Sequence, residues 1–109
     1  MVKQGDIIKL NFNPQAGHEQ SGYRPAVVIS NSIFNQKTHL TIVCPITNTN
    51  NKFPLHIELD ERTNTTGVIL CEHIKALDLG VREYKVIEKL PQDLLRQVID
   101  IVFSEIEMI

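Results

Sequence analysis

The chain lacks the features by which several classes of protein are usually recognised. It has no apolar run of about 18 residues, the length a helix needs to cross a membrane, so we expect no membrane span. Residues 1–6 do not form the apolar core of a signal peptide. The two cysteines, Cys44 and Cys71, lack Cys-x-x-Cys spacing and lie in apolar runs, which predicts buried thiols rather than a disulfide or metal site. We therefore expect a cytoplasmic protein.

An excess of positive charge is also absent. The formal net charge is −2 and the pI is about 6.0, whereas a domain that holds nucleic acid by overall charge usually has a pI above about 9. This excludes a protein that coats nucleic acid without specificity. It leaves room for an enzyme that grips a few nucleotides in a local cleft.

The composition is that of an ordinary globular protein, with 42% hydrophobic and 22% charged residues in a chain of 109. The chain contains no linker, repeat or low-complexity tract. Its length suffices for one core but not for two domains. We expect a single domain over residues 1–109.

Most of the chain shows the periodicity of strands. Ile8, Leu10 and Phe12 alternate with polar residues, as do Leu55, Ile57 and Leu59, the pattern of half-buried strands. Short apolar runs that suit central strands occur at 26–30 and 40–46, and one helical turn is expected near residues 33–34. A turn at residues 65–67 leads into 68–71, and 74–77 continues that segment.

The end of the chain changes to a helical period. From Pro91 onward the apolar residues recur at helical spacing, which predicts a helix whose stripe packs on the sheet. The stripe comprises Leu94, Leu95, Val98, Ile101, Val102 and Ile106. We predict a mainly β (α+β) fold, a small and strongly bent antiparallel β-sheet or barrel with a C-terminal helix.

One loop concentrates chemically active side chains. Residues 17–25 read Gly-His-Glu-Gln-Ser-Gly-Tyr-Arg-Pro and place His18, Glu19 and Arg24 within seven residues. Such a hairpin can hold a proton acceptor, a proton donor and a phosphate clamp around one small target. The simpler alternatives are that Arg24 pairs with a surface carboxylate and that His18 and Glu19 are solvated loop residues.

This loop and the strand after it resemble the signature of the MazF/PemK/Kid toxin family. Further matches, in order along the chain, are Gly5-Asp6-Ile7, Val43-Cys44-Pro45-Ile46-Thr47, Thr65-Thr66-Gly67-Val68, Cys71-Glu72-His73 and Leu77-Asp78. The resemblance covers essentially the whole chain. It implies an SH3-like barrel, a homodimer, and a sequence-specific, ribosome-independent endoribonuclease that uses no metal or cofactor and is neutralised by a cognate antitoxin.

The resemblance also implies roles for particular residues. Metal-free cleavage of RNA to a 2′,3′-cyclic phosphate needs a base for the 2′-OH proton, an acid for the 5′-oxygen and positive charge on the phosphate. Arg24 matches the clamp, because its fork of donors fits two phosphate oxygens, and Thr47 is implied to donate to the same phosphate. Glu19 and Glu72 are alternative bases, and His18 is a candidate acid, base or base-stacking platform.

Recognition of single-stranded RNA calls for stacking platforms and for amides that read base edges. The expected RNA-binding residues are Gln20, Tyr23, Asn48, Phe53, His56 and His73, with Phe34 as a further stacking candidate and Asn50 and Asn51 as further base readers. We expect three partners: single-stranded RNA, a MazE/PemI-like antitoxin with a flexible acidic segment, and a second copy of the chain.

The chain also departs from the family pattern. Glu72 stands where some members have aspartate, His73 where they have glutamine, and Leu70 where the plasmid-borne relatives have arginine. Leu70 cannot donate a hydrogen bond, so a mechanism that needs an arginine there is not available. Two alternatives stay open: a non-enzymatic poison of DNA gyrase like the CcdB toxins, which share this barrel, and a catalytically silent binding barrel.

Overall fold

The computed structural model describes residues 1–13, 22–49 and 54–109. Seven strands and two α-helices are found in these residues. They are β1 (Asp6–Asn11), β2 (Tyr23–Val28), α1 (Ser32–Thr38), β3 (Thr41–Thr47), β4 (His56–Glu58), β5 (Val68–Leu70), β6 (Lys75–Leu77), β7 (Tyr84–Lys89) and α2 (Gln92–Ile106), with short 3₁₀ turns at Cys71–His73 and Leu79–Val81.

The strands form one bent antiparallel sheet with the order β4-β5-β3-β2-β1-β7. β3 has two partners on one side, because its first half pairs with β6 and its second half with β5. Pro45 lies in the gap between these pairings, where β3 needs no donor on that side. This sheet and its C-terminal helix confirm the predicted mainly β (α+β) fold.

Both faces of the central strands are buried. Ile7 and Val27 belong to one apolar cluster, which α2 covers with Leu94, Leu95 and Val98. Their chain neighbours, Ile8, Ala26 and Val28, point the other way into a second cluster that also holds Leu10, Phe12, Val43 and Leu77. Alternation of side chains along a strand explains this division. It is also the reason that residues 26–29 are continuously apolar rather than alternating.

The terminal helix is only partly covered. Its first hydrogen bond runs from the Leu95 N–H to the Pro91 carbonyl, at 3.0 Å, so it begins where the sequence predicted. The expectation that the whole apolar stripe packs on the sheet is wrong for Ile106, which is 69% exposed, and Phe103 beside it is 61% exposed. No element in the described part of the chain covers this last turn. Among the described residues neither helix is long and apolar enough to span a membrane.

The two ends of the connection between β1 and β2 are firmly held. Nη1 of Arg82 donates to the carbonyls of Asn11 and Asn13, both at 3.0 Å. The Gly22 N–H donates to Oδ1 of Asn13 at 3.0 Å, and the Phe12 N–H donates to the Gly22 carbonyl at 2.9 Å. These four bonds fix where residues 14–21, which lie outside the described residues, leave and rejoin the sheet.

Candidate active site

A polar pocket opens where β2 begins and β3 ends. Its volume is about 360 Å³. Its walls come from four strands and the turn after β5, and its lining residues are Arg24, Thr47, Thr49, His56, Leu70, Glu72 and His73. The pocket therefore collects residues that are up to 49 positions apart in the chain.

The antiparallel pairing of β2 with β3 brings Arg24 next to Thr47. The last pair of this ladder is Ala26 with Pro45. Arg24 and Thr47 each lie two residues beyond it, and both line the pocket. Oγ1 of Thr47 accepts a hydrogen bond from the Thr49 N–H at 3.2 Å. Because a hydroxyl is donor and acceptor together, its O–H remains available to donate into the pocket.

Gly67 packs directly under the end of β3. Its φ is +116°, a conformation that residues with a side chain rarely adopt. A Cβ at this position would lie 2.3 Å from the carbonyl oxygen of Thr47. The β4–β5 turn can therefore approach the pocket this closely only with glycine at position 67.

The opposite wall of the pocket carries a histidine–carboxylate pair. Since β4 pairs with β5 so that His56 faces Leu70, the imidazole lies beside the chain as it leaves β5. Nε2 of His56 is 2.9 Å from Oε2 of Glu72, and the side chain of His56 is only 6% exposed. Nε2 of His73 approaches the same oxygen at 3.7 Å.

An apolar side chain, a buried thiol and a carboxyl of α2 with a raised pKa surround the back of the pocket. Leu70 is 4% exposed and forms an apolar part of the lining. Burial raises the pKa of the Cys71 thiol to about 12, with the charges of Glu105 and Glu72 adding to the effect. Burial also raises the pKa of Glu105 on α2, and the charge of Glu72 adds to this. Both cysteines are buried free thiols, as predicted.

Five of the predicted site residues meet in this pocket. They are Arg24, Thr47, Glu72, His56 and His73. The predicted residues His18, Glu19, Gln20 and Phe53, and also Asn50 and Asn51, lie outside the described residues.

The other predicted contacts lie away from the pocket lining. Tyr23 is 47% exposed beside Arg24 but is not part of the lining. Asn48 is exposed, and its Oδ1 accepts a hydrogen bond from the Thr66 hydroxyl at 3.0 Å. Phe34 lies on α1, which joins the far ends of β2 and β3. Its place in the fold separates it from Arg24 and Thr47.

Sequence reasoning missed Thr49 and the contact between His56 and Glu72. Thr49 follows a predicted site residue by two positions, and this proximity was the available signal. The pairing of His56 with Glu72 depends on the register of β4 against β5, for which the sequence carries no local signal. Among the described residues no cluster of three or more His, Cys, Asp or Glu side chains is placed to hold a metal ion.

Comparison with known proteins gives the same result at the level of family, sequence and structure. Residues 3–102 match the family described as PemK-like, MazF-like toxin of type II toxin–antitoxin system. The Endoribonuclease PemK of Escherichia coli is 31% identical over 102 residues, which cover 90% of this chain and 77% of that protein.

Solved structures agree over nearly the full length. The crystal structure of MazF (Form-I) from Deinococcus radiodurans superposes with a TM-score of 0.91 at 36% identity, covering 98% of this chain and 97% of that one. The MazE–MazF structure (Form-II) from the same organism gives a TM-score of 0.85 at 35% identity, covering 99% and 97%. The chain belongs to the family of PemK-like, MazF-like toxins of type II toxin–antitoxin systems.

Proposed function

We propose that this chain is the endoribonuclease toxin of a toxin–antitoxin pair, and that it cleaves single-stranded RNA at a specific sequence without a metal ion. The observation that carries the proposal is the convergence of a guanidinium, a hydroxyl and a carboxylate, those of Arg24, Thr47 and Glu72, in one pocket. The naming of the relative PemK as an endoribonuclease supports it.

Arg24 and Thr47 bind the scissile phosphate. The planar guanidinium can donate to two phosphate oxygens at once and stays charged at any working pH. The Thr47 hydroxyl, fixed by the Thr49 N–H, donates a further hydrogen bond. These donors stabilise the extra negative charge that develops on the phosphate oxygens in the transition state.

The reaction is an internal transfer of the phosphate. A carboxylate takes the proton of the 2′-OH, the 2′-oxygen forms a bond to phosphorus, and the bond from phosphorus to the 5′-oxygen breaks. The 5′-oxygen takes up a proton from an acid, which leaves a 2′,3′-cyclic phosphate and a 5′-OH. Glu72 is the candidate base in the pocket, Glu19 is the alternative, and His18 is the candidate acid.

We expect RNA to enter the pocket past Tyr23 and Asn48, which adjoin Arg24 and Thr47 in the chain, and past His73 in its lining. Tyr23 is exposed enough to stack on a base, and the Asn48 amide lies at the start of the loop that follows Thr47. Gln20 and Phe53 remain predictions for the same role. We expect the motif recognised to be read from unpaired bases.

Two protein partners follow from the same proposal. A MazE/PemI-like antitoxin would compete with RNA by placing acidic side chains against Arg24. The solved MazE–MazF structure of a relative supports the existence of such a partner. A second copy of the chain would cover the exposed apolar turn of α2 around Phe103 and Ile106. We place the activity in the cytoplasm, where mRNA is available.

The gyrase-poison alternative is not favoured. The chain belongs to the PemK-like, MazF-like toxin family, and its relative PemK is named an endoribonuclease. A protein that poisons gyrase by binding has no need of a phosphate clamp. Relaxation of supercoiled DNA by gyrase, in the absence of RNA, should be unaffected by the purified chain.

The test is cleavage of a long mixed-sequence RNA in EDTA, with the ends of the products mapped. Wild type should cut at one short motif and leave cyclic-phosphate ends. Arg24→Ala should cut at least about 100-fold more slowly, the usual cost of removing one such donor. Arg96→Ala, on an exposed position of α2, is the matched control and should cut normally. Full activity of Arg24→Ala would refute the proposed role of this residue.

A further inference from the structure

Two imidazoles converge on one oxygen of the Glu72 carboxylate. Nε2 of His56 lies 2.9 Å from Oε2 and Nε2 of His73 lies 3.7 Å from it. Among the described residues no hydrogen bond or ion pair reaches the other oxygen, Oε1. His56 therefore holds the carboxylate by one oxygen, within the pocket that Arg24 and Thr47 also line.

We propose that His56 is a positioning residue that holds the Glu72 carboxylate in its reactive orientation, rather than a platform on which a base stacks. This inference rests on the proposed function and specifies how the pocket is built. A side chain that is 6% exposed has almost no face to offer a nucleobase. Its ring instead fits the task of orienting a neighbour that is itself 28% exposed.

The backbone explains why this contact is specific. Glu72 lies on a short 3₁₀ turn and has a long side chain with several rotamers, so its position is not fixed by its own element. His56 lies on β4, opposite Leu70, and is locked by the β4–β5 pairing. The proposed role of Glu72 as a base needs its carboxylate to accept this hydrogen bond, which requires the tautomer of His56 whose Nε2 carries the hydrogen.

His73 provides an internal comparison. It approaches the same oxygen but at 3.7 Å, beyond hydrogen-bond distance, and its side chain is 27% exposed. The other charged groups around Glu72 are Arg24 from β2 in the same pocket and Glu105 from α2, whose pKa the charge of Glu72 helps to raise. Of these groups, His56 alone makes a hydrogen bond to Glu72 within the described residues.

The kinetic test is a double-mutant cycle with an oligonucleotide that contains the mapped cleavage site. His56→Leu should lower kcat about 10- to 100-fold with little change in KM, because a displacement of about 1 Å at a reacting group can cost on the order of 100-fold. In a Glu72→Gln background the same substitution should cost nothing further. His56→Gln, which keeps an N–H donor, should recover part of the loss. His73→Leu, at a residue on the proposed RNA path, should raise KM rather than lower kcat.

The alternatives give different results. If His56 stacks on a base, His56→Leu raises KM and its effect adds to that of Glu72→Gln, which would overturn the proposal. Full activity of Glu72→Gln would also overturn it, because the residue being positioned would then be idle. Thermal unfolding of each variant shows whether a loss of activity is merely a loss of fold.

A second measurement does not depend on cleavage. In the ¹⁵N NMR spectrum of the labelled protein, Nε2 of His56 should be the protonated nitrogen, and its signal should shift in Glu72→Gln much more than that of His73. Unchanged His56 signals would overturn the proposal. If the wild-type protein cut no RNA while these shifts were present, the proposed function would be refuted. The hydrogen bond by which His56 positions Glu72 would still be established.

Discussion

Replacing Gly67 by alanine should damage both the fold and the pocket. The φ of +116° would impose backbone strain of about 1–3 kcal/mol on a residue with a side chain. The added Cβ would also lie 2.3 Å from the carbonyl oxygen of Thr47, whereas ordinary contacts begin at 3.4 Å. The end of β3 would therefore have to retreat by about 1 Å, because backbone atoms cannot rotate away as a side chain can.

Two measurements should register this displacement. The free energy of unfolding in urea should fall by about 2–4 kcal/mol, the strain together with a cost of overpacking of about 1–3 kcal/mol that partial relaxation reduces. Cleavage of RNA should slow on the order of 100-fold, since Thr47 would move by about 1 Å relative to Arg24. The loss of rate should persist at temperatures where the variant is fully folded.

Two other glycines distinguish the effect of backbone strain from that of steric overlap. Gly22 also has a positive φ, +79°, but nothing lies within 4 Å of an added Cβ. Gly22→Ala should therefore show the strain without the overlap. At Gly80, away from the pocket, a Cβ meets only a side-chain oxygen of Asp78 at 3.1 Å, so Gly80→Ala should cleave RNA normally. A Gly67→Ala variant with the stability of Gly22→Ala and wild-type activity would refute the argument.

Two further predictions concern polar contacts outside the pocket. Arg82→Met removes both hydrogen bonds at the base of the β1–β2 connection and should cost about 1–3 kcal/mol in urea unfolding; no loss would show that these bonds do not hold the hairpin. Hydrogen bonds from Arg62 lower the pKa of Asp60 and of Asp93. These hydrogen bonds contribute fully to the stability of the fold above the unfolded pKa of about 4. Their contribution is lost as the pH falls from that value through the lower pKa of the folded protein. The acid-induced loss of stability should therefore be shallower in Arg62→Met, and an unchanged slope would contradict this.

The strands that could be predicted are those whose burial leaves a pattern. Residues 26–30 and 40–46 read as central strands, and they are central because both faces are covered. β7 was not predicted, since Tyr84, Lys85, Val86 and Ile87 are all exposed and the strand shows no alternation. It exists because β1 offers it a hydrogen-bonding edge, which is a property of the sheet rather than of the segment.

The candidate site shows the same difference between residues that a local pattern predicts and contacts that only the tertiary fold creates. Arg24 and Thr47 were predicted from short motifs that lie at the ends of two neighbouring strands. The partner of Glu72 was not, because His56 is 16 positions away and reaches the carboxylate only through the register of β4 on β5. Local sequence therefore identified groups that line the pocket, and the tertiary fold decided which of them face each other.

β7, which was not predicted from the sequence, also supports the pocket. Glu88 on β7 accepts hydrogen bonds from the Asn64 N–H at 3.0 Å, the Thr65 N–H at 2.8 Å and the Thr65 hydroxyl at 2.7 Å. Desolvation alone would raise the pKa of Glu88, but these hydrogen bonds lower it below its usual value. The turn held in this way leads directly to Gly67 under the end of β3. The geometry of the pocket thus depends on an edge strand that contributes no residue to its lining.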